Sequence, residues 1–247
     1  MLKLHQFQSS HFNEKVRWAL DFKGIAHTRE SYLPGPHRMK IKRLSGGPAT
    51  TPLLQHEQGC VSGSAAIIDW LEARYPEPPL YPAEEPQKQQ ALAMQSQWDA
   101  TLGPATRTVV FSVLQQVPTY LCATFSRGKP LAKRLGYRAL YPMVSPLIAK
   151  ANGVNPENIE RAFHIVETSL DEIAGASSST GYLVGDRFTV ADLTAAALLA
   201  PLANVTHPDM RRIEPVPREM SELISRFASH SAIQWVQRVY STHRPVG

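Results

Sequence analysis

The sequence predicts two domains, a small α/β domain with a mixed sheet followed by an all-helical domain. Short apolar runs bounded by turn residues alternate with helical patterns as far as Tyr75. Five prolines then occupy residues 76–86, a segment that neither a helix nor a central strand could accept. Beyond it, apolar residues recur at helical spacing. We therefore expect domains at residues 1–80 and 88–247, joined by a linker at residues 81–87.

The first predicted elements are a strand and a helix, joined by a turn that carries two serines. Leu2 and Leu4 alternate with polar residues, which is typical of a strand. Helical spacing follows, with Asn13 as a candidate N-cap. Ser10 precedes this helix, and a hydroxyl there could donate a hydrogen bond to a thiolate and lower the pKa of the thiol. Ser9 is the nearest alternative.

A second strand is predicted at residues 25–31, and it is followed by an irregular, proline-containing connection. The densest basic cluster of the chain comes next. It consists of Arg38, Lys40, Lys42 and Arg43. Two interpretations remain open for this cluster: a solvated helix face, or a patch that attracts an anionic ligand.

Residues 50–75 predict a β-hairpin followed by a helix that begins at Ser62-Gly63-Ser64. Such a helix start leaves backbone N–H groups free and favours a carboxylate or phosphate, although a plain serine N-cap is the alternative. Pro52 allows a cis bond after Thr51. The N–H and C=O of Thr51 could then pair with an extended peptide, as an added strand would.

The second domain is predicted from helical patterns of unequal clarity. A helix from residue 87 continues past Gly103-Pro104 with a kink, residues 118–156 form broken helices, and residues 156–173 form a regular one. Thr189 and Asp192 have the spacing of a capping box, so we assign Asp192 a structural role. Two more helical patterns follow Pro215.

Composition excludes several classes of protein. Hydrophobic residues at 43% and charged residues at 19% are typical of a globular chain. The net charge of +5 is spread out, no nucleic-acid-binding motif is present, and no apolar run reaches the roughly 18 residues of a membrane span. Residues 1–5 lack the apolar core of a signal peptide. Cys60 and Cys122 provide no disulfide framework, and we expect both to be small, buried hydrophobic side chains. We expect a cytoplasmic protein without nucleic-acid, membrane or metal partners.

The order of these motifs resembles the glutathione S-transferases. The strand, the helix with Lys-Val-Arg-Trp-Ala-Leu, the Thr-Pro-Leu-Leu hairpin and the Ser-Gly-Ser helix resemble their thioredoxin-like amino-terminal domain, and the rest resembles their helical-bundle second domain. The resemblance implies glutathione as cosubstrate, a homodimer, a role in detoxification and conjugation of the thiolate to a small apolar electrophile. A non-catalytic binding or chaperone-like protein, or a glutathione-dependent isomerase or peroxidase, is the alternative.

The resemblance also implies roles for particular residues. Ser10 lies six residues before Val16, as the active hydroxyl of serine-type members does. Gly63 stands where the family usually has an acidic residue that holds the γ-glutamyl end of glutathione. The implied glutathione contacts are Thr50, Thr51, Pro52, Gly63, Ser64 and Lys40. The implied second-substrate pocket contains His11, Phe12, Trp98, Thr101, Leu102 and Phe111. Burial in the core is the other interpretation for the last four, and an exposed loop position is the other interpretation for His11.

Overall fold

The structure is a computed structural model that describes residues 1–245. Its first part is a four-stranded mixed sheet with helices, as predicted. The elements are β1 (Leu2–Gln6), α1 (His11–Phe22), β2 (His27–Ser31), α2 (His37–Ser45), β3 (Leu53–His56), β4 (Gly59–Ser62) and α3 (Ser64–Arg74). The strand order is β2-β1-β3-β4. Strand β1 runs parallel to β2 and antiparallel to β3, which forms the predicted hairpin with β4.

The sheet register brings three chain segments to one end of the sheet. His5 of β1 lies beside Leu53 at the start of β3, and Leu53 lies beside Ser62 at the end of β4. Consequently, the chain leaving β1, the chain entering β3 and the chain entering α3 meet at this end. This arrangement positions the candidate site described below.

The second part of the chain is entirely helical, which confirms the predicted class. Its elements are α4 (Glu85–Ala100), α5 (Leu102–Leu114), α6 (Pro118–Phe125), α7 (Leu131–Ala151), α8 (Pro156–Ala176), α9 (Val190–Ala203), α10 (Arg218–Phe227) and α11 (Ser231–His243). Helix α9 is apolar on all sides because it lies in the middle of this part, packed against α1, α4 and α11. None of the helices in residues 1–245 combines the length and hydropathy that crossing a bilayer requires.

Two details of the helical predictions were wrong. The helix expected to continue past Gly103 ends at Ala100, and α5 starts as a separate helix at Leu102. A Cβ atom at Gly103 would lie 2.3 Å from the ring of Phe12, so this close packing requires glycine. In addition, α7 continues through Pro142 and Pro146. Both prolines are exposed, and water can therefore solvate the carbonyl groups that they leave without a donor.

The start of α9 has the predicted capping box. Thr189 accepts a hydrogen bond from the N–H of Ala191, and Asp192 accepts hydrogen bonds from the N–H of Thr189 at 2.9 Å and from its hydroxyl. The other carboxylate oxygen of Asp192 accepts the N–H of Leu183 at 2.9 Å. Asp192 therefore joins the helix to the loop that precedes it.

We expect Asp192→Ala to lower the free energy of unfolding by about 2–4 kcal/mol, because buried donors on Leu183 and Thr189 would lose their acceptor. Chemical denaturation measures this loss. Asp186→Ala is the matched control, since the side chain of Asp186 in the same loop is 89% exposed. Equal stability of the two variants would contradict the capping role.

The two cysteines and the titratable side chains provide two further checks. Cys122 is buried as expected, whereas Cys60 is only partly buried because it lies on β4, the last strand of the sheet. Within residues 1–245, His, Cys, Asp and Glu side chains do not form any group of three or more that could hold a metal ion.

Candidate functional site

A cavity of about 280 Å³ lies where β3 and α3 begin. It is lined by Phe12, Thr51, Pro52, Gly63, Ser64, Ala65, Ala66 and Asp99. Five of these residues belong to the set that the sequence analysis selected, and they come from three separate chain segments. The sheet register therefore brings together residues that are distant in sequence.

One wall of the cavity is the chain that enters β3. The Thr51-Pro52 bond is cis. The N–H of Gly63 donates to the carbonyl of Pro52 at 3.0 Å, which ties this entry to the end of the hairpin. Among the hydrogen bonds of residues 1–245, none involves the backbone N–H of Thr51. This group can therefore pair with the backbone of an extended ligand.

A second wall is the amino-terminal end of α3. Gly63 is the N-cap, with a φ of 94° that L side chains rarely adopt, and it lacks a side-chain capping bond. This geometry explains why glycine fits where the family usually has an acidic residue. In the part of the chain that the structure describes, the N–H groups of Ser64, Ala65 and Ala66 have no acceptor. The positive end of the helix dipole and these donors form an anion-binding surface.

Ser10 is not one of the lining residues of the cavity, but hydrogen bonds through Asn13 link it to Thr51, which is. Ser10 is the N-cap of α1, because its Oγ accepts the N–H of Asn13 at 3.4 Å, which corrects the assignment of Asn13 as the cap. Asn13 sits in the first turn, and its side-chain amide donates to Oγ1 of Thr51 at 3.3 Å. Since Ser10 Oγ acts as an acceptor here, its own proton stays available for a ligand.

His11 is a structural link between the two parts of the chain. It is buried, and its Nε2 lies 3.0 Å from the carbonyl oxygen of Gly103, to which it must donate. Burial lowers the pKa of His11 to about 3, and the nearby charge of Arg107 also lowers it. The hydrogen bond to Gly103 raises this pKa, but by less. His11 is therefore neutral in the folded protein near neutral pH.

We expect His11 to make the fold sensitive to acid. Between pH 6.5 and about 3 the unfolded chain protonates this histidine and the folded chain does not, so stability falls as pH decreases through this window. The loss is about 1.4 kcal/mol per pH unit. His11→Gln keeps a donor for Gly103 and cannot titrate. Urea unfolding measures the free energy of unfolding at pH 7.5 and at pH 5.0. The decrease in this free energy between the two pH values should be about 2 kcal/mol smaller in the variant than in the wild type. An unchanged difference would refute the assignment.

The other residues selected from the sequence do not line the cavity. Nζ of Lys40 lies 2.5 Å from Glu30, and Thr50 is exposed. For the implied second-substrate pocket, Trp98 and Leu102 are buried, in agreement with the core interpretation, whereas the interpretation of His11 as an exposed loop residue was wrong. Thr101 is exposed and Phe111 is partly buried, away from the cavity. Of that set, the structure places only Phe12 at the cavity.

Asp99 is the charged lining residue that the sequence did not predict; Ala65 and Ala66 were not predicted either. Asp99 lies on α4, and its Oδ2 accepts a hydrogen bond from Nζ of Lys15 at 2.6 Å. Its Oδ1 is buried, without a partner among the described residues. The local sequence around Asp99 contains no signal for this position, because only the tertiary arrangement of the helices puts Asp99 in the lining of the same cavity as Gly63.

The chain is similar to known glutathione S-transferases in sequence and in fold. Residues 4–79 match the family profile described as glutathione S-transferase, N-terminal domain, and residues 156–224 match the one described as glutathione S-transferase, C-terminal domain. No curated protein sequence matches the chain significantly.

Solved structures with the same fold include three bacterial proteins. The β-etherase LigF from Sphingobium sp. strain SYK-6 is 19% identical, with a TM-score of 0.64, over 96% of this chain and 98% of its own. A glutathione S-transferase from Pseudomonas fluorescens Pf-5 is 18% identical, with a TM-score of 0.61, over 100% and 98%. One from Methylobacterium radiotolerans JCM 2831, in complex with glutathione sulfonate, is 21% identical, with a TM-score of 0.55, over 100% and 95%.

The two matched profiles are the two domains of one family, they occur in the family's order, and together they span more than half of the chain. The four-stranded mixed sheet followed by helices agrees with them. The chain therefore belongs to the glutathione S-transferase family.

Proposed function

We propose that the protein binds glutathione in the 280 Å³ cavity and transfers its thiolate to a small, apolar electrophile. Membership in the family supports a glutathione-dependent activity in general. One observation carries the finer proposal: a single cavity combines a free backbone edge at Thr51 with the uncapped end of α3. A small peptide with a terminal carboxylate has the groups that such a cavity can bind.

The cysteinyl part of glutathione is proposed to lie along Thr51. Its backbone would pair with the N–H of Thr51 as an added strand does, with Asn13 holding the threonine side chain on the opposite side. The γ-glutamyl carboxylate would then accept hydrogen bonds from Ser64 and the following N–H groups of α3. The contact with Thr51 requires an extended ligand backbone, and the contact with α3 requires an ionised carboxylate.

Asp99 is proposed to bind the γ-glutamyl ammonium group. This contact is the one that Gly63 cannot make, since glycine carries no carboxylate. Asp99 faces the same cavity from α4, and its Oδ1 is buried without a hydrogen-bond partner in residues 1–245. The side chain of Asp99 is 19% exposed, and an ammonium group in the cavity would form a second charge-assisted hydrogen bond beside the one from Lys15.

Ser10 is proposed to act as the thiolate donor. Its hydroxyl proton, together with the amino end of α1, would stabilise the negative sulfur and lower the pKa of the bound thiol. The thiolate then attacks the electrophile, a sulfur–carbon bond forms, and the leaving group departs with the electron pair. The neutral, buried His11 is not available as a base.

A binding protein without turnover is the second candidate, and the glycine at position 63 is the observation that favours it. Titration calorimetry with glutathione, followed by product analysis with a small aryl halide, separates the two. Conjugate formation supports the transferase, and binding without conjugate supports the second candidate. Oxidation of glutathione to its disulfide with an added hydroperoxide would assign a peroxidase reaction instead, and isomerisation of a substrate without net loss of glutathione would assign an isomerase reaction. Absence of glutathione binding would refute the proposal.

The assignment of Asp99 has its own test. We expect Asp99→Asn to weaken glutathione binding about tenfold, because a hydrogen bond to a charged group contributes about 1.5–3 kcal/mol. Deaminated glutathione, which lacks the ammonium group, should bind the variant and the wild type equally. Asp171→Asn is the matched control, since its side chain is 82% exposed. An equal loss of affinity for both ligands would indicate that Asp99 acts only through the structure.

A further inference from the structure

Helix α7 is the part of the molecule that departs most from an ordinary protein surface. Its residues are mostly exposed, and among the helices it packs mainly on α6. Of the seven large apolar side chains that are exposed in residues 1–245, five lie on this helix. They are Leu131, Leu135, Leu140, Met143 and Leu147. Each is more than half exposed, so the helix presents a contiguous apolar surface to its surroundings.

These five residues share one side of the helix, which we call the apolar face of α7. At 3.6 residues per turn they fall within about half of the helix circumference, and the opposite side buries Tyr137 and Tyr141. Lys133 and Arg138 border the apolar face, each about 20° beyond it. The helix therefore has a wide apolar face whose two edges are basic, and Lys150 lies near the middle of that face in the last turn.

The charge around α7 is of one sign. Residues 100–156 contain neither Asp nor Glu, whereas basic residues occur at Arg107, Arg127, Lys129, Lys133, Arg134, Arg138 and Lys150. The four basic side chains of α7 are exposed, and the ion pairs of residues 1–245 do not include any of them. An anionic surface would complement this helix in charge as well as in hydropathy.

We propose that α7 docks the protein on an anionic lipid surface, with its apolar face in the interface and its basic edges at the headgroups. A helix with an apolar half and Lys or Arg at its borders lies in a bilayer interface without spanning it. The apolar face is aliphatic throughout, whereas the centres of protein interfaces are enriched in aromatic residues. Docking of this kind replaces the earlier expectation of no membrane partner, and it is independent of glutathione binding.

Flotation of the full chain with vesicles tests the proposal. We expect binding to vesicles of equal parts phosphatidylglycerol and phosphatidylcholine at least about tenfold tighter than to phosphatidylcholine alone, and weaker binding as salt is added. Leu140→Ser/Leu147→Ser should lower the partition coefficient about tenfold or more. Met39→Ser is the matched control, because Met39 is an exposed methionine on α2.

A second pair of variants tests the basic edge. Lys133→Ser/Arg138→Ser should lower binding about tenfold or more, since each basic residue near an anionic surface contributes a factor of about five. Arg161→Ser/Arg218→Ser removes the same charge from exposed positions elsewhere and should bind as the wild type does. Thermal unfolding confirms that all variants are folded.

Three outcomes would overturn the proposal. They are failure of the wild type to bind anionic vesicles, binding that the leucine pair leaves unchanged, and binding that the Lys133/Arg138 pair leaves unchanged. Retention on poly-glutamate that depends on Lys133 and Arg138 but not on the leucines, without vesicle binding, would assign an acidic protein partner to α7.

Discussion

Replacing Ser10 by alanine is expected to lower kcat/KM for conjugation by about 10- to 100-fold at pH 6.5. A hydrogen bond to a charged group contributes about 1.5–3 kcal/mol, which corresponds to about one to two pKa units of the bound thiol. Without the hydroxyl the thiol pKa rises, so the thiolate fraction near neutral pH falls by the same factor. The loss should become small above pH 9, where the thiol ionises without help. Absorbance of the thiolate in the glutathione complex measures this pKa directly.

Two variants separate the chemistry of Ser10 from its structural role. Ser10 also caps α1, and its loss to alanine costs about 1 kcal/mol of stability, whereas glycine at an N-cap costs only a few tenths. Ser10→Gly and Ser10→Ala should therefore show the same thiol pKa and different stabilities. Ser9→Ala is the matched control and should keep the wild-type pKa. A raised thiol pKa in Ser9→Ala alone would assign the donor role to Ser9.

Replacing Arg244 by methionine is expected to cost about 3–5 kcal/mol of stability, the largest single effect outside the cavity. The side chains of Arg244 and Glu14 are fully buried, and Nε of Arg244 lies 2.8 Å from Glu14 Oε1. Arg244 also donates to Asp21 and Asp209, each at 2.7 Å. Although burial lowers the pKa of Arg244, Glu14 and Asp21 outweigh it and hold that pKa above its ordinary value.

The cost arises because Glu14 is a buried carboxylate. Without Arg244 it keeps a hydrogen bond from Nε of Arg17 at 2.7 Å and a longer one from the hydroxyl of Tyr240, so part of its charge would be unbalanced. A loss of this size lowers the thermal midpoint by about 6–12 °C in a chain of this length. Truncation before residue 244 should have the same effect, since it removes the same guanidinium group.

Two comparisons make the Arg244 result interpretable. Arg218→Met is the matched control, because the side chain of Arg218 is 88% exposed and pairs only with Glu222 in the described residues. This variant should change the free energy of unfolding by less than about 0.5 kcal/mol. Adding Glu14→Gln to Arg244→Met should restore much of the loss by removing the unbalanced charge. If Arg244→Met were as stable as Arg218→Met, the ion pair would not stabilise the fold.

Local patterns predicted much of the fold and part of the cavity. The hairpin at residues 53–62 and the capping box at Thr189 have short-range signals, and the structure contains both. The linker predicted at residues 81–87 overlaps the first turn of α4, which begins at Glu85. Thr51, Gly63 and Ser64 were selected because a proline and a Ser-Gly-Ser helix start have consequences for the backbone that hold in most settings. Phe12 was placed correctly at the cavity, but its close packing on Gly103 could not be anticipated.

The amino-acid sequence by itself determined the two-part architecture, the order of its elements and the backbone groups that face the cavity. Only the tertiary structure decided that Asp99 lines the same cavity as Gly63, that Trp98 and Leu102 are core residues, and that Arg244 balances Glu14. The physical reason is that hydrogen bonds and turns act over a few residues, so a short segment encodes them. Ion pairs and cavity walls instead join side chains from distant helices, and their neighbours are settled only when those helices pack.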